Sequence, residues 1–265
     1  MCIFASIRYL RNITMMKTKN LWMLIAILLF FGMTAHAQDA TKQESKPYLS
    51  VRKLPDLLKW LPAPPDTTSE AFVHDIMRYM WGKTQRLDSA RAAIAIRDAV
   101  WNIDSTLAEF CVPFGLEISR EKTPEIYTLL ERGIKTCDQI GGRAKWFYHR
   151  KRPFMRMNEH MLTRNEEAGL IHNGSYPSGH TIRGWSAALL LSEINPAAAD
   201  TILARGMMYG DSRVIVGAHW QSDVDAGRLA GSAAVVTLHT CPEFLEQLAK
   251  ARAEFQRLTA TLKEE

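Results

Sequence analysis

From Ser69 onward, apolar positions recur at helical spacing. Thr123-Pro124-Glu125 reads as an N-cap followed by proline at the first helical position. After it, Ile126, Leu129, Leu130, Ile134 and Cys137 fall at i, i+3, i+4, i+8 and i+11, which defines one apolar face. Asn195-Pro196 divides a helix expected over 181–194 from one over 197–209 that ends at Gly210. Thr240-Cys241-Pro242-Glu243 opens a last amphipathic helix. Ala226, Gly227, Ala230, Gly231, Ala233 and Ala234 form a run of small residues. They let backbones approach closely and place their helix at the centre of a bundle. The only strand-like stretch, Val214-Ile215-Val216, is too short to define a sheet. The pattern predicts an all-α, single-domain helical bundle over 69–265.

Two segments precede that domain. Residues 38–68 are polar and carry Pro47, Pro55, Pro62, Pro64 and Pro65, the composition of an extended arm laid on the domain surface. Before them, Lys17 and Lys19 lead into an apolar run from Leu21 to Met33 and an Ala-His-Ala cleavage pattern at Ala35–Ala37. Residues 1–37 therefore read as a secretory signal peptide, with Met15 or Met16 as alternative starts and 1–14 as an upstream extension. The run is shorter than the roughly 20 residues a membrane span needs. Cleavage removes Arg8, Arg11, Lys17 and Lys19 and no acidic residue, so the formal charge falls from +5 to +1. The basic balance belongs to the leader and gives no argument for nucleic-acid binding. The expected mature chain is periplasmic or secreted, with no membrane span. It keeps Cys111, Cys137 and Cys241; Cys111–Cys137 is the disulfide to test, against three buried, inert thiols.

Three polar segments stand out from the helical background: Lys145 with Arg152-Pro153, Gly174 through Thr181, and Ser212-Arg213 with His219 and Asp223. A phosphate monoester needs its charged oxygens positioned and neutralised. Arg152 and Arg213 offer bidentate forks and Lys145 a point charge. Ser178 and Gly179 supply a hydroxyl and backbone N–H groups where a helix starts, a natural anion site. His219 and Asp223, four apart, would share one helix face, where the carboxylate fixes the imidazole tautomer and frees the other nitrogen to attack phosphorus. His180 can protonate the leaving oxygen, which requires one neutral and one protonated imidazole at the same pH.

Taken singly, each piece is ordinary: a surface lysine, a turn, a capping arginine, an i,i+4 pair. Together and in order they match K-x6-RP, PSGH and SR-x5-H-x3-D, and the chain resembles the phosphatidic acid phosphatase type 2 superfamily. Gly174–Thr181 looks like the signature of bacterial class A non-specific acid phosphatases. The similarity extends over about 70–257 and includes Glu193-Ile194-Asn195-Pro196 and His219 through Ala226. It implies an all-helical fold, hydrolysis of many small-molecule phosphomonoesters (nucleotides, sugar phosphates, aryl phosphates) and no required metal or other cofactor. By motif position it makes His219 the nucleophile, Asp223 its partner and His180 the acid, with Lys145, Arg152, Ser178, Gly179 and Arg213 as phosphate ligands.

Arg150 and Lys151 read as surface charge, Asp225 as structural, and His74, His149, His160, His172 and His239 as ordinary polar or core residues. The sequon at Asn173 is discounted, because a glycan there would sit on the phosphate loop. A vanadium-dependent haloperoxidase, a membrane lipid phosphatase and a non-catalytic phosphate-binding module are the competing readings. Homo-oligomerisation stays open.

Overall fold

The structure, a computed structural model, describes residues 45–264. The leader, its cleavage point and the first residues of the arm lie outside the described residues. Twelve α-helices and no strand occur among the described residues. They are α1 Glu70–Gln85, α2 Ser89–Arg97, α3 Ile103–Ala108, α4 Cys111–Phe114, α5 Pro124–Asp138 and α6 Gly142–Tyr148. Next come α7 Pro153–Met157, α8 Glu167–Leu170, α9 Gly179–Ile194, α10 Ala199–Ile215, α11 Gln221–Leu238 and α12 Pro242–Glu264.

The centre belongs to α9, which is apolar on nearly all sides and packs against α5, α10 and α11. The small-residue helix α11 is its close neighbour rather than the axis of the bundle. Gly227 is what permits the approach: a β-carbon there would stand 2.8 Å from the Ser178 carbonyl oxygen. The apolar face of α5 forms as its spacing predicts, with Ile126, Leu129, Leu130, Ile134 and Cys137 fully buried. Pro124 sits at the first helical position, but Thr123 Oγ1 makes no cap. Glu254 of α12 does that work, accepting from the Ile126 N–H at 2.9 Å.

Several local expectations change. Helix α10 runs straight through Gly210 to Ile215, so Val214-Ile215-Val216 is a helix end and not a strand. Gly210 is there for packing: a β-carbon would press on Val224 Cγ1 and Arg228 Nη2 at 3.0 Å. Residues 45–68 are less extended than their prolines suggest. They form 3₁₀ turns at Val51–Lys53 and Leu57–Lys59 and bury Tyr48, Leu54, Leu57 and Leu61 in the main core. Apolar residues spaced among the prolines give that segment a reason to fold inward. The Cys111–Cys137 disulfide does not form; all three described cysteines are free. Cys137 is enclosed in the α5 core face, and burial pushes its thiol up to about 12. No helix among the described residues is long and apolar enough to cross a membrane.

Candidate active site

The phosphate-loop segment and the α10–α11 connection meet at one end of the bundle. Ser178 is the N-cap of α9, which starts two residues earlier than its periodicity suggests. Its Oγ accepts from the Thr181 N–H at 3.4 Å and from Thr181 Oγ1 at 2.9 Å. Ser178 N donates to the Asp223 carbonyl at 2.9 Å, which fixes the loop against the start of α11.

His219 is not on a helix. Between α10 and α11 the chain turns at Gly217, whose φ of +87° suits only glycine without strain. Ala218 N and His219 N then both bond back to the Arg213 carbonyl, at 3.1 and 3.2 Å. Trp220, fully buried against Phe72 and Tyr79, anchors the next residue and donates from Nε1 to the Lys151 carbonyl. Asp223 occupies the first turn of α11. Its Oδ2 accepts from the Trp220 N–H at 2.9 Å and faces His219 Nδ1 at 3.3 Å. The expected pair is therefore present, but it is made across a helix start and not along a helix face. This geometry puts the proton on Nδ1 and leaves the Nε2 lone pair facing Arg152 Nη1, 3.0 Å away.

Arg152 is almost completely buried. Its Nε donates to the Asn173 and Leu170 carbonyls and its Nη1 to the Ala218 carbonyl. Lys145 Nζ donates to the Gly174 carbonyl at 3.0 Å. Burial, then the neighbouring Arg152, lowers its pKa to about 7. Arg213 is fully enclosed; Nη2 pairs with Glu166 Oε2 at 3.0 Å. Its Nε and Nη1 have no hydrogen-bond partner among the described residues. Buried guanidinium donors without acceptors are costly, so this cluster suits an anion.

A cavity of about 650 Å³ opens above these groups. Of the eight residues singled out from sequence, Lys145, Arg152, Gly179, His180 and His219 line it, while Ser178, Arg213 and Asp223 stand behind. His180, the second residue of α9, donates from Nε2 to the Ala99 carbonyl at 2.9 Å. Both histidines lie well below the usual imidazole range. Burial is the main cause for each, reinforced by Arg213 at His180 and by Arg152 and Lys145 at His219. Desolvation and surrounding cations favour the neutral form of both rings.

One sequence reading is overturned here. Arg150 is not solvated surface: it is nearly buried, donating to Asp223 Oδ1 at 2.5 Å and to Asp75 Oδ2 at 2.7 Å. Asp75, on α1, also accepts from the N–H and hydroxyl of Ser222. No local signal marks Asp75, which lies far from the motifs in sequence. Arg150 could have been suspected only from its place between Lys145 and Arg152. Glu166, equally unflagged, brings a carboxylate to the cavity wall beside Arg213. Lys151 is exposed, as expected, and Asp225 bonds to Gln221 and Arg228 in a structural role. Among the described residues no group of three His, Cys, Asp or Glu has metal-site geometry.

Residues 134–246, which include all eight residues singled out from sequence, match the PAP2 superfamily. The chain is 42 % identical over 229 residues to a non-specific acid phosphatase of Providencia stuartii, covering 86 % of this chain and 92 % of that protein. It is 37 % identical over 232 residues to the non-specific acid phosphatase of Salmonella typhimurium, covering 86 % and 91 %. An acid phosphatase of Zymomonas mobilis is 36 % identical over 220 residues, 83 % of each chain. Likeness of this extent, spanning every helix that contributes to the cavity, makes the chain a member of the PAP2 superfamily.

Proposed function

We propose that this protein is a non-specific acid phosphatase that hydrolyses small phosphate monoesters through a phosphohistidine at His219. The observation that carries the reading is the His219 imidazole itself. Its Nδ1 is turned to Asp223, and its Nε2 faces Arg152 Nη1 at 3.0 Å, in a ring that lines the cavity together with Lys145 and Arg152. In the first step the Nε2 lone pair attacks phosphorus, the bond from phosphorus to the leaving oxygen breaks, and a proton from His180 passes to that oxygen. In the second, water attacks phosphorus, His180 takes its proton, and the N–P bond breaks to release phosphate. Lys145, Arg152, Arg213 and the N–H groups at Ser178-Gly179 hold the equatorial oxygens. Asp223 stabilises the positive charge that develops on the ring.

The low basicity of both histidines fits these roles once substrate is considered. A neutral His219 is the nucleophilic form. His180 must gain a proton, and the arriving phosphate dianion raises its pKa by opposing the surrounding cations. In this reading the substrates include nucleotides, sugar phosphates and aryl phosphates, no metal takes part, and the mature protein acts in the periplasm or outside the cell. Acceptor alcohols could intercept the phosphoenzyme and yield phosphotransfer.

The test is hydrolysis of 4-nitrophenyl phosphate by the mature chain, with and without chelator. Rapid quenching should trap an acid-labile phosphoenzyme that His219→Ala cannot form. Full turnover by His219→Ala would end the nucleophile assignment. Loss of wild-type activity to chelator would end the metal-independent reading.

A further inference from the structure

The mouth of the cavity carries an uncovered apolar group. Trp101, Ile96 and Val100 keep 52 %, 44 % and 44 % of their surface exposed, and all three line the cavity that holds His180 and His219. Apolar surface gathered beside a few converging polar groups is the usual composition of a ligand pocket.

Trp101 is also held firmly. One face of its ring lies on the Arg183 guanidinium, whose Cζ is 3.6 Å from the ring centroid. Arg183 is gripped in turn by Asp138, through Nε at 3.2 Å and Nη2 at 2.7 Å. The His180 ring meets the indole at 4.5 Å between centroids, inclined by 66°. A β-carbon on Gly179 would lie 3.5 Å from the indole Cη2, so the ring stands directly beside the start of α9. The connection between α2 and α3 that carries Trp101 is tied down at both ends. Ala99 O accepts from His180 Nε2, and Asn102 Oδ1 caps α3 by accepting from the Ser105 N–H at 2.7 Å. A flat ring, backed on one face by a fixed cation, is thus presented to the cavity next to His180.

We infer that Trp101 is a stacking platform for the leaving group and favours monoesters whose alcohol carries a planar aromatic ring over those of polyols and sugars. The inference rests on the phosphomonoesterase reading above and adds to it the class of substrate. His180 serves the leaving oxygen in that reading, so a ring beside His180 meets the organic portion of the ester and not the phosphate. Arg183 makes the indole a pre-organised surface, and stacking on such a surface changes affinity by about tenfold. Ile96 and Val100 continue the apolar wall, and a cavity of about 650 Å³ holds a nucleoside as well as a phenol.

The experiment compares wild type, Trp101→Ala and Trp101→Phe on four substrates: 4-nitrophenyl phosphate, adenosine 5′-monophosphate, glycerol 2-phosphate and glucose 6-phosphate. The readout is the ratio of kcat/KM for an aromatic over a polyol or sugar ester. Trp101→Ala should lower that ratio about tenfold and Trp101→Phe should restore most of it. A fall confined to one aromatic ester still supports the platform and tells a phenol from a nucleobase. Unchanged ratios for both aromatic esters, or an equal loss on all four substrates, would overturn it. Equal loss would mean that the indole merely positions His180. Titration calorimetry on the His219→Ala protein separates this from the catalytic reading. There, loss of adenosine 5′-monophosphate affinity without loss of inorganic phosphate affinity upholds the platform even if no ester is turned over. Equal loss of both again overturns it.

Discussion

Arg150 donates to Oδ1 of Asp223 at 2.5 Å, while the opposite oxygen of the same carboxylate faces His219 Nδ1. The two contacts divide one carboxylate between a permanent cation and a ring that, in the proposed mechanism, becomes cationic during turnover. Asp75 completes the chain by holding the far side of the guanidinium. Arg150 thereby holds the Asp223 carboxylate in place and aimed at His219.

Arg150→Gln should cost more than a surface arginine. It leaves Asp75 and Asp223 buried without their cation, a change that typically costs about 3–5 kcal/mol. Denaturant unfolding should show that loss. Assays on the folded fraction should show kcat falling at least tenfold with KM less affected. Arg150→Lys, which keeps the charge but not the fork, should recover part of kcat. A surface role would leave both measurements unchanged.

Lys145 should set an alkaline limit on activity. Its pKa is lowered to about 7 by burial and by Arg152, so its charge is complete below pH 7 and is lost as pH rises through that value. Phosphate binding should weaken in the same direction. In the free enzyme kcat/KM should therefore decline on the alkaline side near pH 7. Lys145→Arg stays charged and should carry that limb to higher pH, even if its geometry lowers the maximum. A limb unmoved by Lys145→Arg would assign it to another group.

Glu166 on the cavity wall pairs with Arg213, and under the proposed function it would compete with a phosphate oxygen for that guanidinium. Glu166→Gln retains a hydrogen-bond acceptor but not the charge. The inhibition constant of inorganic phosphate should drop several-fold, and KM with it. In a thermal melt the variant should start lower than wild type and gain more from added phosphate. A rise in KM would mean that Glu166 aligns Arg213 for substrate.

Gly227→Ala tests the contact between α11 and the phosphate loop. The added carbon would lie 2.8 Å from the Ser178 carbonyl oxygen and 2.9 Å from Thr181 Cβ, so the loop or the helix must shift. Overpacking of this kind costs about 1–3 kcal/mol. The loop that moves holds Ser178 and Gly179, so KM for phosphate esters should rise together with the loss of stability.

Much of this molecule is legible before it folds. The apolar face of α5 is written in its own spacing, because burial of one helix side imposes a 3.6-residue period on the chain. The start of α9 is legible to within two residues, and Ser178 sets it by capping, a local hydrogen-bond requirement. The eight candidate site residues stand out because phosphate chemistry needs cations, a hydroxyl, imidazoles and a carboxylate in motifs compact enough to read. The sequence by itself thus determined the helical class and the chemical inventory of the site.

Tertiary packing decided what each of those residues meets. Gly210 looks like a helix end and is an interior contact, because its neighbour Val224 lies on another helix. Arg150 and Lys151 both look solvated, yet Arg150 is drawn inside beside Arg152 and only Lys151 is left exposed. Only the arrival of Asp75 from α1 and Asp223 from α11 gives Arg150 acceptors enough to leave water. His219 and Asp223 form their pair across a turn that needs Gly217, not along a helix. Trp101 has no motif at all and becomes notable through Arg183, His180 and the cavity beside it. Periodicity and capping act over a few residues, so a chain displays them directly. Desolvation and charge pairing act between segments brought together from across the chain, so they exist only once the bundle has closed.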